Sequence, residues 1–233
     1  GQVLIDGRPT KREELIAHCL YVGDDKDLFP VSAKNALLYA RCRPSWDETI
    51  FTRLAKRFKL SLKGGLGRRS QGQRALFTSA LGLASGAPIT LLDEPTGNLD
   101  VPTRLALAEE IIRVNAEAEG ARTILVSSHL VSELESLIEH VIVLRNGRLV
   151  EAMPAEELRS AAIALVGDPA TIRAALASEA KARILDERPL GRLAEIRVIG
   201  HTPELLDSLN RSGVEIQPLS FQDAFVSLIS EEK

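Results

Sequence analysis

The periods of apolar and polar positions along the chain predict which stretches form strands and which form helices. Four mostly apolar residues at 89–92 end at two carboxylates, and a run this short is typical of a buried strand. Residues 123–127, with the sequence TILVS, are rich in β-branched side chains and predict a second strand. Ile50, Leu54 and Phe58 recur at spacings of four and therefore lie on one face of an amphipathic helix. Strands that alternate with helices predict an α/β fold with a largely parallel sheet.

Turn and capping residues mark the ends of further elements. Asn146 and Gly147 stand between two apolar runs and predict a hairpin with a type I′ turn. Ser70 is a suitable N-cap for a helix that begins at Gln71, and Pro102 favours the first turn of another helix. The other predicted elements are a strand and a turn within residues 1–9, a strand within 18–25, a mostly helical stretch at 33–84, a long helix at 102–118 and a short helix at 131–138.

Beyond about residue 155 the pattern changes, and this change divides the chain. Two helices alternate with four short strands in the order β-α-β-β-α-β, which is the order of a ferredoxin-like unit. One more amphipathic helix closes the chain. We therefore predict a core at residues 1–157, with a helical subdomain at about 31–84, and a small α+β C-terminal accessory domain at 158–233.

Composition and charge argue against several classes of function. Hydrophobic residues make up 45% and charged residues 26% of the 233 positions, which is typical of a soluble globular protein. The formal net charge of −3 provides no general basic field, so we expect no nucleic-acid partner. No apolar run reaches the length that crosses a bilayer. Cys19 and Cys42 lack the spacing of metal ligands and are expected to be reduced thiols.

Adjacent carboxylates at the end of a buried strand suggest a ligand site. Asp93 and Glu94 directly follow the strand at 89–92, and open α/β sheets bind ligands at the carboxyl ends of their strands. One carboxylate there can hold Mg²⁺ through its water shell, while its neighbour orients or deprotonates an attacking water. The alternative is a core strand that ends in a polar turn.

Three weaker signals surround these carboxylates. Ser70 opens a helix within RSQGQR, and the free N–H groups of a helix start attract anions. His129 follows a predicted strand and can donate to a phosphate oxygen. Asp100 closes the turn after Glu94. The alternatives are an ordinary serine N-cap, a structural loop histidine and a helix N-terminal acid, and the last of these can coexist with a functional role.

Four motifs in order resemble those of the nucleotide-binding domain of ATP-binding cassette (ABC) transporters. RSQGQ is similar to the family's signature motif, ITLLDE to its Walker B strand, GNLD to its D-loop and SSH to its switch histidine. The resemblance covers residues 1–157, and the separation of Gln73 from Asp93 is also similar. It implies a P-loop NTPase-like ABC ATPase core that binds ATP and Mg²⁺.

The resemblance also implies a role for each matching residue. Asp93 would hold Mg²⁺ through water, and Glu94 would polarise the attacking water. His129 would contact the γ-phosphate, and Asp100 would cross the seam between two domains paired head to tail. The γ-phosphate on the partner domain would be capped by Ser70, Gly72 and Gln73.

Departures from the family pattern bear on activity. The phosphate loop GxxxxGK[ST] does not occur in these 233 residues, and a site without its N–H groups and lysine should bind ATP very poorly. We expect a chain that begins at Gly1 to be a fragment; the alternative is a protein that truly lacks the loop. Asp24 takes the place of the family's glutamine beside the Mg²⁺, where it must pair with the metal or weaken binding. Gln71 replaces the first signature glycine.

The resemblance implies the ATPase subunit of a bacterial ABC transporter, and we expect an exporter. Its partners would be a second nucleotide-binding domain and a membrane permease, which would hold it at the cytoplasmic face of the membrane. The alternative is a degenerate, non-hydrolytic subunit that completes a partner's ATP site. A soluble ABC protein of DNA repair or translation is disfavoured, because the chain has no coiled-coil insertion and no second cassette.

These roles predict the behaviour of one variant. In the full-length protein, Glu94→Gln keeps the shape of the side chain but removes its charge, so it should abolish ATP turnover while retaining ATP and promoting dimerisation. Steady-state hydrolysis and sedimentation with ATP measure the two effects. Undiminished hydrolysis would remove Glu94 from the catalytic role.

Overall fold

The computed structural model describes residues 2–5, 7–23, 31–129, 131, 135 and 138–230. The chain divides into two compact units, Gly1–Leu130 and Val131–Lys233. Among the helices that the structure describes, none is both long enough and apolar enough to cross a bilayer.

The first unit is an α/β layer with a helical segment inserted between two of its strands. A short antiparallel hairpin of β1 and β2 opens it, and helix α1 follows. The predicted strands and helices of this half are confirmed within a residue or two. The elements are β1 Leu4–Ile5, β2 Arg8–Pro9, α1 Arg12–His18, β3 Cys19–Val22, α2 Ala33–Arg41, α3 Glu48–Arg57, a 3₁₀ turn Leu66–Arg68, α4 Gln71–Ala84, β4 Ile89–Asp93, α5 Val101–Glu117 and β5 Thr123–Ser127.

The sheet of the first unit is parallel, as the alternation of elements predicts. Strand β4 lies in the middle, with β3 on one side and β5 on the other. Its inward-facing Leu92 is 1% exposed and packs with Phe77 and Leu83 of α4 and Leu107 of α5. Because these helices pack on one face of β4, the position of the strand is set by the core. The residues that follow β4 therefore lie at the carboxyl edge of the sheet.

Charge, as well as apolar packing, holds α3 against α5. Glu110 of α5 is 2% exposed and accepts hydrogen bonds from Arg53 at 3.0 Å and from Arg57 at 2.7 Å, both on α3. Arg53 also makes a two-point contact with Glu117, and Arg57 contacts Glu109. A buried carboxylate keeps its charge only when it is paired, so the two arginines are required partners of Glu110.

The second unit contains two antiparallel sheets. The hairpin β6 His140–Arg145 and β7 Arg148–Pro154 turns at Asn146 and Gly147, both with positive φ, as the type I′ prediction requires. After α6 Ala155–Ala161, the elements follow the expected order β-α-β-β-α-β, with all neighbouring strands antiparallel in the spatial order β11-β8-β10-β9. They are β8 Ala162–Gly167, α7 Pro169–Leu176, β9 Arg183–Leu190, β10 Leu193–Ile199, α8 Pro203–Arg211 and β11 Glu215–Pro218, and helix α9 Phe221–Ser230 closes the chain.

The boundary between the units differs from the one expected near residue 157. Val141 and Val143 of the β6–β7 hairpin are buried with Leu158 of α6 and Phe221 of α9, so the hairpin packs within the second unit. The sequence also left α1 and α6 unassigned. The first has no buried residue, and both are only seven residues long, so neither shows a clear apolar period. The helix expected at 131–138 lies largely outside the described residues.

The buried carboxylate between α3 and α5 allows a stability test. Glu110→Gln leaves two arginines without their shared charge, and we expect a loss of about 2–3 kcal/mol in the free energy of unfolding. Glu109→Gln, at a side chain that is 65% exposed, is the matched control and should cost under about 1 kcal/mol. Urea unfolding followed by circular dichroism measures both. Equal effects of the two substitutions would show that burial of Glu110 does not matter.

Candidate functional site

The two predicted carboxylates lie at the carboxyl edge of the parallel sheet. Asp93 is the last residue of β4 and stands opposite Ser127, the last residue of β5, while Leu92 pairs with Val22 at the end of β3. Both Asp93 and Glu94 are exposed. The parallel register therefore brings the ends of three strands together at one place, which is where α/β sheets bind ligands.

Asp93 is held by two hydroxyl groups. Ser127 Oγ donates to Oδ1 of Asp93, and Tyr21 Oη donates to Oδ2 at 2.8 Å. These two hydrogen bonds, that from Ser127 first, lower the pKa of Asp93 below its usual value because they stabilise the carboxylate. Sequence reasoning missed Tyr21 and Ser127. The signal was present, since both are polar-tipped side chains at the ends of the strands that flank β4.

Glu94 turns out of the strand and meets His129. Its backbone has a φ of 46°, in the left-handed region, and its N–H donates to Oγ of Ser127 at 2.9 Å. Oε2 of Glu94 lies 2.9 Å from Nδ1 of His129, and the two side chains are 43% and 69% exposed. Left-handed backbone is costly for a residue other than glycine and is found at functional turns. The two residues assigned to catalysis thus form a hydrogen-bonded pair.

The helix start with the sequence SQGQ is anchored to the loop after Glu94. Ser70 caps α4 by accepting from the N–H of Gln73, and the Gln73 side chain accepts from the N–H of Ser70 in a capping box. A Cβ at Gly72 would lie 2.6 Å from the carbonyl oxygen of Asn98. Only glycine fits this approach, so the helix start packs directly against the loop.

Asp100 begins the next helix, and Asp24 is not described. Asp100 is the N-cap of α5, and its Oδ1 accepts from the N–H of Thr103 at 2.9 Å. Hydrogen bonding from Thr103 lowers the pKa of Asp100. Asp100 therefore has the helix-start role that the sequence suggested. Because its side chain is exposed, it is also accessible for contact with a second domain. Asp24 lies outside the described residues.

A cavity of about 300 Å³ connects the signature helix with the carboxylates. Asp93, Glu94 and His129 line one side, and Gln71 and Asn98 line another. Ser79 of α4 also borders it, and among the described residues the Ser79 hydroxyl, in a residue that is 1% exposed, has no hydrogen-bond partner. The carboxylates and hydroxyl groups among the lining residues suit a hydrated cation and water.

The residues present fit a magnesium ion held mainly by its ligand and by water. Among the described residues there is no group of three or more histidine, cysteine, aspartate or glutamate side chains that could hold a metal. Magnesium in phosphate-transfer sites is usually bound by one or two carboxylates, by water and by substrate phosphates. Asp93, an exposed carboxylate kept in its ionised form, suits this arrangement.

A second cavity of about 300 Å³ lies between β3, α2 and α4. Its walls are mainly apolar and include Leu20, Tyr39 and Leu81, with Arg43 among them. Arg43 is tied to α1 because its Nη2 donates to the carbonyl of Ala17 at 2.7 Å. This groove lies between β3 and the helical segment, and it shares Val22, Gly23 and Thr78 with the first cavity.

Comparison with known proteins agrees with the four motifs. The sulfate/thiosulfate import ATP-binding protein CysA of Caulobacter vibrioides is 32% identical over 173 residues, which cover 69% of this chain and 50% of that protein. The ATP-dependent lipid A-core flippase of Xylella fastidiosa is 29% identical over 169 residues, which cover 65% of this chain and 28% of that protein. The match thus spans half or less of the length of these relatives.

Structural similarity supports the same fold. The solved structure of an ATP-binding subunit of an ABC transporter superposes with a TM-score of 0.56 at 21% identity, over 66% of this chain and 67% of that chain. No family model matches the chain. The chain is homologous to the ATP-binding domains of ABC transporters, and the resemblance carried by the four motifs is confirmed.

The close approach at Gly72 makes a testable prediction. Gly72→Ala places a methyl group against the Asn98 carbonyl, so either the loop or α4 must shift, and we expect a loss of about 1–3 kcal/mol in stability. Gly65→Ala is the control, because a Cβ there meets no atom within 4 Å. Urea unfolding compares the two. A fully stable Gly72→Ala protein would show that the helix start is not fixed to this loop.

Proposed function

We propose that this protein is the ATP-binding and ATP-hydrolysing subunit of an ABC transporter. The observation that carries the proposal is the placement of Asp93 and Glu94 at the end of the central strand, with His129 on Glu94 at 2.9 Å. Homology to ABC ATP-binding domains supports the assignment of Asp93 to the metal and of Glu94 to the attacking water. A carboxylate for the hydrated metal and a second one for the attacking water are the two groups that in-line phosphoryl transfer requires.

In this proposal each residue has a distinct task. Asp93, held by two hydroxyl groups, would hold Mg²⁺, which when bound would supply charge neutralisation for the triphosphate. Glu94 orients and polarises the attacking water, and its hydrogen bond fixes the ring of His129 for contact with the γ-phosphate. Asp24 would lie on the metal side of the same site.

The site is completed by a second copy or a related domain. Ser70, Gly72 and Gln73 form an ordered helix start whose dipole favours an anion, and they would cap the γ-phosphate bound to the partner. Asp100 would cross the seam between the two domains. Because Gly72 lets this helix start pack directly against the loop after Glu94, closing the dimer would move the helix start, which serves the partner's nucleotide, together with the carboxylates of this domain's own site.

A membrane permease would bind the apolar groove of the helical segment. Leu20 and Leu81 present apolar surface there, and Tyr39 is 71% exposed, although a soluble domain usually covers such side chains. A helix of a permease laid into this groove would connect dimer closure to transport and would hold the subunit at the cytoplasmic face of the membrane. The relatives named above include an import protein and a flippase. We propose export, the direction that we expect from the sequence.

A degenerate regulatory subunit is the second candidate. The observation that favours it is Gln71, which lines the carboxylate cavity where the family has a glycine. The phosphate loop is also not among the 233 residues, so ATP would have to be held by residues elsewhere. Such a subunit would bind a partner's nucleotide through Ser70 and Gln73 without hydrolysing it.

The test compares ATP binding and hydrolysis by this chain with the same chain extended through the adjoining upstream coding sequence. We expect hydrolysis only from a protein that has a phosphate loop beside the carboxylate site. Stimulated hydrolysis on mixing with the permease would support the docking groove. If neither protein binds or hydrolyses ATP, the hydrolytic proposal is rejected in favour of the degenerate subunit.

A further inference from the structure

The Asp93 carboxylate makes hydrogen bonds on both of its oxygens. Ser127 occupies Oδ1 from the neighbouring strand β5, and Tyr21 occupies Oδ2 from the opposite neighbour, β3. The carboxylate is therefore held from both sides of its own strand and cannot rotate without losing one hydroxyl. Orientation of a carboxylate by such outer partners is a recognised way to tune a metal site.

Tyr21 reaches Asp93 although its aromatic side chain is mostly exposed to solvent. Tyr21 is 58% exposed, so packing does little to hold its ring across the sheet edge. The phenol Oη donates a 2.8 Å hydrogen bond to Asp93. Tyr21 is thus largely exposed to solvent and yet donates to Asp93, which indicates a role at that carboxylate.

Gly23 provides the space that this orientation needs. A Cβ at Gly23 would lie 2.3 Å from Oη and 2.7 Å from Cζ of Tyr21. Any larger residue at position 23 would therefore push the phenol away from Asp93. The backbone of Gly23 does not have a positive φ, so the absence of a side chain, and not backbone freedom, is what the position requires.

We propose that Tyr21 is a positioning residue that fixes the Asp93 carboxylate for a water-bridged magnesium ion, and that Gly23 keeps the space for its phenol. This inference rests on the proposed ATPase function, because it assigns Tyr21 and Gly23 to the metal side of that site. It extends the site to strand β3 and to two residues that the motifs did not mark. Ser127 provides the matching hydroxyl from β5.

The experiment measures Mn²⁺ binding by electron paramagnetic resonance in the full-length protein with ATP. Tyr21→Phe removes only the hydroxyl, and Gly23→Ala leaves it in place but crowds the ring. We expect each to weaken Mn²⁺ binding by about tenfold, the lower end of the effect of outer-partner substitutions. Thr123→Val is the control, since it removes a hydroxyl from the opposite end of the same sheet and should leave binding unchanged.

A double substitution separates positioning from a general structural effect. If Tyr21 acts through Asp93, Tyr21→Phe should cause no further loss in an Asp93→Asn background. An equal loss in both backgrounds, or wild-type Mn²⁺ binding by Tyr21→Phe, would overturn the inference. If Asp93→Asn weakens Mn²⁺ binding while Tyr21→Phe does not, the inference fails and the ATPase proposal stands. If the wild-type protein shows no ATP-dependent Mn²⁺ binding, both are rejected.

Discussion

The parallel register of three strands is the constraint on which the rest of the first unit depends. With β4 between β3 and β5, Asp93 lies beside Ser127 and within reach of Tyr21, and the N–H of Glu94 meets the Ser127 hydroxyl. A shift of β5 by one residue would turn Ser127 to the other face of the sheet and remove a hydrogen bond from each carboxylate residue. The register is itself maintained by the buried face of β4 against α4 and α5, so core packing determines the geometry of the site.

The loop from Glu94 to Asp100 connects the end of β4 to two helices, because it packs against the start of α4 and caps α5. Glu94 and Asn98 both have positive φ, and the carbonyl of Asn98 leaves room only for the glycine at position 72. At its end the loop caps α5 through Asp100. The carboxylates, the signature helix start and α5 are therefore parts of one assembly. A nucleotide that displaced any one of them would act on all three, as the proposed function requires.

Strong local patterns predicted most helices and strands. The features that sequence reasoning missed depend on contacts between residues that are distant in sequence. The apolar run before Asp93, the Ser70 cap and the Asn146–Gly147 turn each carry their signal within a few residues, and each lies where the sequence indicated. The partner of Tyr21 could not be predicted from local sequence, because Asp93 is 72 residues away. The packing of the β6–β7 hairpin also depends on residues distant in sequence, since its buried valines pack against a helix near the end of the chain.

The most direct test is a crystal structure of the full-length protein with Mn²⁺ and a non-hydrolysable ATP analogue, measured at the manganese absorption edge. We predict an anomalous peak separated from the Asp93 carboxylate by one water molecule, with Tyr21 still bonded to that carboxylate and Glu94 facing the γ-phosphate. A metal bound away from Asp93, or a nucleotide whose γ-phosphate lies away from Glu94 and His129, would contradict the account.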